Sequence, residues 1–238
     1  MNILHIETAT SVCSVALSID GVLRTYIDQH EPNIHASKLT VFISDILSQA
    51  NCKMEDLDAI AISKGPGSYT GLRIGVSAAK GICFALDIPL ISIDTLDAMC
   101  TGFLSDFNQG AETNQLFCPM IDARRMEVYS AIYNAGKEQI KPVDARIIDA
   151  HSFDPLTENG QKVLLFGDGA DKFSSLFEKN AQVEVVNGFL NSSRFLINEA
   201  NVKFQQKQFE NVAYFEPFYL KDFVPTTPKR RIQTQSNL

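Results

Sequence analysis

One pattern occurs twice in this chain, and it limits the possible folds more than any composition figure does. Residues 4–17 read LHIETATSVCSVAL and residues 118–133 read CPMIDARRMEVYSAIY. In each, an apolar run ends in an acid, Glu7 or Asp122, turns tightly, and returns as an alternating strand. A second pair follows in the same order. AIAISKGPGSYT (59–70) and KVLLFGDGADKF (162–173) each read as a buried strand, a Gly-x-Gly turn and then a helix. Two matches in one order predict an internal duplication.

The segments between these matches complete the first unit. Residues 2–28 read as three strands, the last two joined by the hairpin signal Asp20-Gly21. From His35 to Ala50 the period becomes helical, with Leu39, Phe42, Ile43, Ile46, Leu47 and Ala50 on one stripe. A short strand (57–63), a helix from Gly71 to Leu86, a strand (88–93) and a short helix from Thr95 to Leu104 follow. Three antiparallel strands leading into two parallel ones form a ribonuclease-H-like half. The expected fold is therefore α/β, with two tandem lobes, each a mixed five-stranded sheet with helices. The polar stretch Asp106–Gln115 marks the boundary between lobes at 1–105 and 106–238. The last residues, from about 225, read as a tail, and the C-terminal helix is expected to pack back on the first lobe.

A duplicated unit of this kind resembles the actin, Hsp70 and sugar-kinase superfamily. The resemblance implies ATP between the lobes, metal and water at the first-strand acids Glu7 and Asp122, and phosphates on the hairpins. Gly167 and Gly169 would then lie near adenine or phosphate. The residues themselves allow a plainer reading. A carboxylate at a strand end commonly caps the N–H groups of its own turn. Glu7 is also one methylene longer than the Asp usual at such a strand end.

Several classes of chemistry lack their frame. GPGSYTG does not end in Gly-Lys-Ser/Thr, so it is not a Walker A loop, and Ser68 suits the N-cap of the next helix. The four histidines, His5, His30, His35 and His151, form no H-x-x-x-H. There is no G-x-S-x-G. Five cysteines, with no C-x-x-C, point to free thiols in a reducing compartment. A formal charge of −7 argues against stand-alone nucleic-acid binding. The one basic cluster, Lys229-Arg230-Arg231, reads as a frayed terminus. The opening MNILHIETA lacks a basic n-region, and no apolar run is long enough for a membrane span. A cytoplasmic protein is expected.

The second helix is rich in small residues, with Gly71, Gly75, Ser77, Ala78, Ala79 and Gly81. Gly inside a helix costs about 1 kcal/mol relative to Ala, so close approach of another backbone is the expected gain. That backbone belongs either to the same domain or to a partner.

With these residues together, the chain resembles the TsaB (YeaZ) family. SKGPGSYTGLRIGVSAAKGICFAL carries most of the likeness, with Tyr69 where Phe is common. ILHIETATSVCSVAL, MIDARRMEVYSAIY and EPFYLKDF (216–223) carry the rest. Glu7 departs from the family's usual Asp. The resemblance implies a two-lobed, non-catalytic scaffold and activator for a TsaD-type transferase. That partner carries H-x-x-x-H and places threonylcarbamoyl on the adenosine next to the anticodon, in tRNAs reading codons that begin with A. It further implies a TsaE-type ATPase in the complex, a homodimer when the chain is alone, tRNA contact only through the complex, and no firmly bound cofactor. The interface candidates it implies, still to be divided between core and partner contact, are Leu39, Ile43, Ile46 and Leu47 on the first helix and Leu72, Gly75, Val76 and Ala79 on the second. Glu7, Asp122, Gly167 and Gly169 would remain as a vestigial cleft. The alternative from another class is an ATP-dependent phosphotransferase or ATPase of the same superfamily. A glycopeptidase lacks both metal frame and nucleophile–base pair.

Overall fold

The computed structural model describes residues 1–107 and 114–221. The basic cluster at 229–231, the proposed tail and part of the 106–115 boundary lie outside them. Two five-stranded sheets form, each with one topology. In the first, β1 (Asn2–Glu7) pairs antiparallel with β2 (Val12–Ile19), which pairs with β3 (Val22–His30). On its other side β1 runs parallel to β4 (Ala59–Gly65), which neighbours β5 (Leu90–Asp94), giving the order β3-β2-β1-β4-β5. The second sheet repeats this with β6 (Gln115–Asp122), β7 (Glu127–Asn134), β8 (Gln139–Ile147), β9 (Lys162–Phe166) and β10 (Val183–Val186), in the order β10-β9-β6-β7-β8. The central strands β1 and β4 are buried on both faces, whereas the edge strand β3 alternates between exposed and half-buried residues.

The helices cover these sheets unequally. Helices α1 (His35–Gln49) and α2 (Tyr69–Leu86) lie on the outer face of the first sheet. Helix α3 (Thr95–Asp106) lies between the sheets, where Ile3, Ile91 and Ile93 of the first share a core with Phe117, Ile121 and Phe166 of the second. The Phe103 ring stacks on Phe166 with centroids 3.9 Å apart. Among the described residues, the second sheet's outer face carries the one-turn helices α4 (Asp154–Thr157) and α5 (Ser174–Phe177) and no longer helix. The helix expected after Gly169 is thus a 3₁₀ turn, Asp171–Phe173, followed by α5. Its apolar pattern, Phe173 and Phe177, lasts a single turn, too short to nucleate a longer helix.

The chain then returns to the first sheet. Ser193 N–H donates to Ser14 Oγ at 2.8 Å, and Ser14 Oγ donates to Ser193 Oγ at 2.6 Å. Helix α6 (Ile197–Gln205) packs beside β5, where Lys203 Nζ donates to the Ser92 carbonyl at 2.7 Å. Beyond it Glu210 forms a bridge with Leu90, and Phe218 N–H donates to the Lys64 carbonyl at 2.7 Å.

Smaller boundaries shift as well. Helix α2 starts at Tyr69 rather than Gly71, because Ser68 Oγ accepts the Gly71 N–H at 3.2 Å and caps it. Helix α3 runs on to Asp106 and β4 begins at Ala59.

Candidate functional site

The two strand-end acids occupy equivalent places and differ in environment. Glu7 closes β1 and is fully buried. Its Oε1 accepts the Ala9 N–H at 2.5 Å. The side chains of Ser63 and Asn191 adjoin the carboxyl and partly offset the effect of its burial. Burial pushes the Glu7 carboxyl up to about 7, with Asp168 adding to the rise. Asp122 closes β6 and is exposed. Its Oδ1 accepts the Arg124 N–H at 3.1 Å and pairs with Lys172 Nζ at 2.5 Å. Its own N–H donates to Asp168 Oδ1 at 3.2 Å. Burial raises the Asp168 carboxyl. A cavity of about 370 Å³ opens between the lobes here, lined by Thr10, Ser11, Asn33, Ser68, Asp122 and Asp168.

The glycines explain how the turns pack. A Cβ on Gly67 would collide with the Ala9 carbonyl, one on Gly71 with the Thr8 carbonyl, and one on Gly75 with Thr8 Oγ1. These three, spaced by four, form a ridge that seats the start of α2 on the turn after β1. In the second lobe a Cβ on Gly167 would meet the Met120 carbonyl, and one on Gly169 would lie 2.8 Å from Asp122 N. The neighbour approached by Gly75 is therefore the chain's own, the own-domain alternative of the two left open by the sequence.

The other interface candidates fall the same way. Leu39, Ile43, Ile46, Leu47, Leu72, Val76 and Ala79 are all buried beneath α1 and α2. They are the stripes that bind these helices to the sheet, since the same apolar periodicity marks a core face. The outward surface of α2 carries Ser77, Gly81 and Ala85, flanked by half-buried Ile74, Ala78 and Ile82. Phe84 stands on it 85% exposed, and a Cβ on Gly81 would meet nothing within 4 Å.

The turns do not suit the magnesium nucleotide that actin-like proteins hold. A phosphate cradle needs backbone N–H groups aimed outward. Here Ser68 N–H donates to the Ala9 carbonyl at 2.7 Å and Gly169 N–H to the Met120 carbonyl at 3.1 Å. Glu7 turns inward onto its own loop, and Asp122 is held by Lys172. Among the described residues no three His, Cys, Asp or Glu side chains group as metal ligands. His5 is a core residue, bonded to Ser18 Oγ at 2.8 Å and pushed down to about 3 by burial.

The family model described as TsaD, tRNA N6-adenosine threonylcarbamoyltransferase, matches residues 30–225. The tRNA threonylcarbamoyladenosine biosynthesis protein TsaB of Bacillus subtilis is 32% identical over 75% of this chain and 76% of its own length. The chain belongs to the TsaB family. The TsaB protein of Escherichia coli is 36% identical, over 59% of this chain and 58% of that relative. The fold matches that of YeaZ from Pseudomonas aeruginosa with a TM-score of 0.77 at 24% identity, covering 92% of this chain and 99% of that one.

Sequence reasoning reached Glu7, Asp122, Gly167 and Gly169, and all four lie at these two turns. It missed Ser63, Asn191 and Lys172, which complete the surroundings. Asp168 stands between the two glycines of GDGA and was legible there. Asn191 arrives from a distant segment with no local signature.

Proposed function

We propose that this TsaB-family chain acts in tRNA threonylcarbamoyladenosine synthesis as a non-catalytic scaffold and activator of a TsaD-type transferase. The observation that carries the reading is the state of the two strand-end turns. Their acids and amides are committed to internal hydrogen bonds and an ion pair, which leaves no set of groups among the described residues arranged for phosphoryl transfer. What the first lobe does present is the outer surface of α2, with Ser77, Gly81, Phe84 and Ala85 exposed and Ile74, Ala78 and Ile82 half-buried beside them. Such a face permits close helix–helix approach, and we assign it to the transferase partner in place of the buried residues. The same face would serve a homodimer when the chain is alone, and a TsaE-type ATPase would join the pair.

The test combines this chain with the transferase partner and the ATPase and follows threonylcarbamoyl transfer to tRNA. Activity is expected to require the chain and to survive Glu7→Gln. Turnover of ATP by the chain alone, lost in Glu7→Gln, would overturn the reading in favour of an ATPase. Gly81→Leu addresses the interface. It is expected to leave the melting temperature unchanged or slightly raised, since Leu exceeds Gly in helix propensity by roughly 1 kcal/mol. Co-elution with the transferase should be lost, and retained co-elution would remove α2's outer face from the interface.

A further inference from the structure

The turn after β6 carries an unusual choice of residues. Arg124 and Arg125 both adopt left-handed backbone, with φ of +76° and +54°. That conformation costs a side-chain-bearing residue roughly 1–2 kcal/mol, and Asn or Gly would adopt it more cheaply. Both arginines are exposed. The strain therefore gains no packing, and it fixes two cations at the tip of the turn.

A second observation lies beside them. A depression of about 380 Å³ separates this turn from the start of α2, lined by Tyr69, Arg124, Tyr129, Tyr219 and Lys221 together with the acids Asp122 and Glu127. The Tyr69 and Tyr219 rings lie 4.8 Å apart and tilted by 36°. Arg73 places its guanidinium 5.3 Å from the Tyr69 ring centre and donates to Tyr69 Oη at 2.8 Å. The nearby acids are largely neutralised. Asp122 pairs with Lys172, and Glu127 pairs with Lys221 at 2.5 Å. Glu216 remains exposed near Tyr219. Arg73, Arg124 and Arg125 form no ion pair among the described residues. On a chain of net charge −7, Arg124 lines the depression with three tyrosines, Arg73 lies against Tyr69, and Arg125 is the next residue of the exposed turn.

Cations spaced around aromatic rings match single-stranded RNA. Its phosphates bind guanidinium groups, and its unstacked bases lie on tyrosine faces. We propose that this depression is a direct contact surface for an unpaired segment of RNA, with Arg73, Arg124 and Arg125 on phosphates and a base against Tyr219. The proposal rests on the reading above, in which the chain works on tRNA. It departs from it by giving this chain an RNA contact of its own. The overall negative charge makes that contact an addition to the partner's grip, and the chain alone binds weakly.

The test uses the complex of this chain with its TsaD-type partner and an unmodified tRNA transcript, with affinity followed by fluorescence anisotropy over a salt series. Three variants are compared: Arg124→Ala with Arg125→Ala, Arg124→Gly with Arg125→Gly, and Tyr219→Ala. Each is expected to weaken tRNA binding by about tenfold or more. The two arginine pairs should also flatten the logarithmic salt slope by about 1 for each phosphate no longer neutralised. The glycine pair should melt no lower than the parent, because it relieves the backbone while removing the charges. Affinity within about twofold of the parent in the arginine pairs would overturn the proposal. So would tighter binding of polyglutamate than of RNA with the same variant pattern, which would assign the surface to an acidic protein. Co-elution with the transferase, measured on the same samples, reports separately on the scaffold reading.

Discussion

The turn that ends β1 and the turn that ends β6 start from the same chemistry and arrive at opposite exposures. In both, the acid accepts the N–H two residues ahead, Ala9 for Glu7 and Arg124 for Asp122. In both, glycines that follow the next parallel strand press against the turn backbone. In the first lobe Glu7 shares the face of β1 that carries Ile3 and looks toward the second sheet, where Ser63 and Asn191 adjoin it, and it is fully buried. In the second, Asp122 stays at the surface with Lys172. The common part is the work of a turn former. The difference comes from what covers each acid: Glu7 is enclosed beside Ser63 and Asn191, whereas Asp122 is left at the surface with Lys172.

The largest expected effect comes from lifting α2 off the turn after β1. Gly71→Leu places a side chain against the Thr8 carbonyl, which is backbone and cannot rotate away. A loss of about 3 kcal/mol or more is expected, at the upper end of overpacking costs, read by denaturant unfolding. Full stability in that variant would mean that the helix does not sit on the turn as described.

Next comes the pH dependence. The Glu7 carboxyl is raised from an ordinary 4.5 to about 7, so the folded state holds its proton more tightly than the unfolded chain. The stability it contributes is fully present below about 4.5 and is lost as pH rises through about 7. Glu7→Gln mimics the protonated form. Its stability relative to the parent should therefore grow across that window, by at most about 3 kcal/mol. A difference that stays constant between acid and neutral pH would contradict a buried, proton-holding Glu7.

The smallest effect belongs to the other turn. Asp122→Asn keeps an acceptor for the Arg124 N–H and loses only the half-exposed pairing with Lys172. Unfolding should change by less than about 1 kcal/mol. A larger loss, matching that at Glu7, would erase the contrast between the lobes.

Much of this was legible in the residues. Strand periodicity, the Asp20-Gly21 turn and the two repeated strand–acid–turn segments suffice for both sheets and their order. The position of Glu7 and Asp122 follows from the same alignment. What the sequence hid was direction. Leu39, Ile43, Leu72 and Val76 announce a helix face that must be covered, but the cover is equally well a sheet or a second chain. The glycine ridge has the same ambiguity, because a small residue records only that something comes near. Arg124 and Arg125 gave no sign of their left-handed backbone, since that conformation normally announces itself through Gly or Asn. The second sheet's short cover departs from expectation because Gly-x-Gly set up a helix that the apolar pattern did not sustain.

The return of the chain to its first sheet has a consequence for synthesis. Leu90 of β5 meets Glu210, which leaves the ribosome about 120 residues later. At ~5–20 residues per second that interval is on the order of ten seconds. Through it the edge of β5 has no partner strand, and the surfaces later covered by Ser193, α6 and Phe218 face water. The half of the molecule that is translated first is the half completed last, so a nascent chain halted before its final segment displays an unfinished sheet edge to the quality-control machinery of the cell.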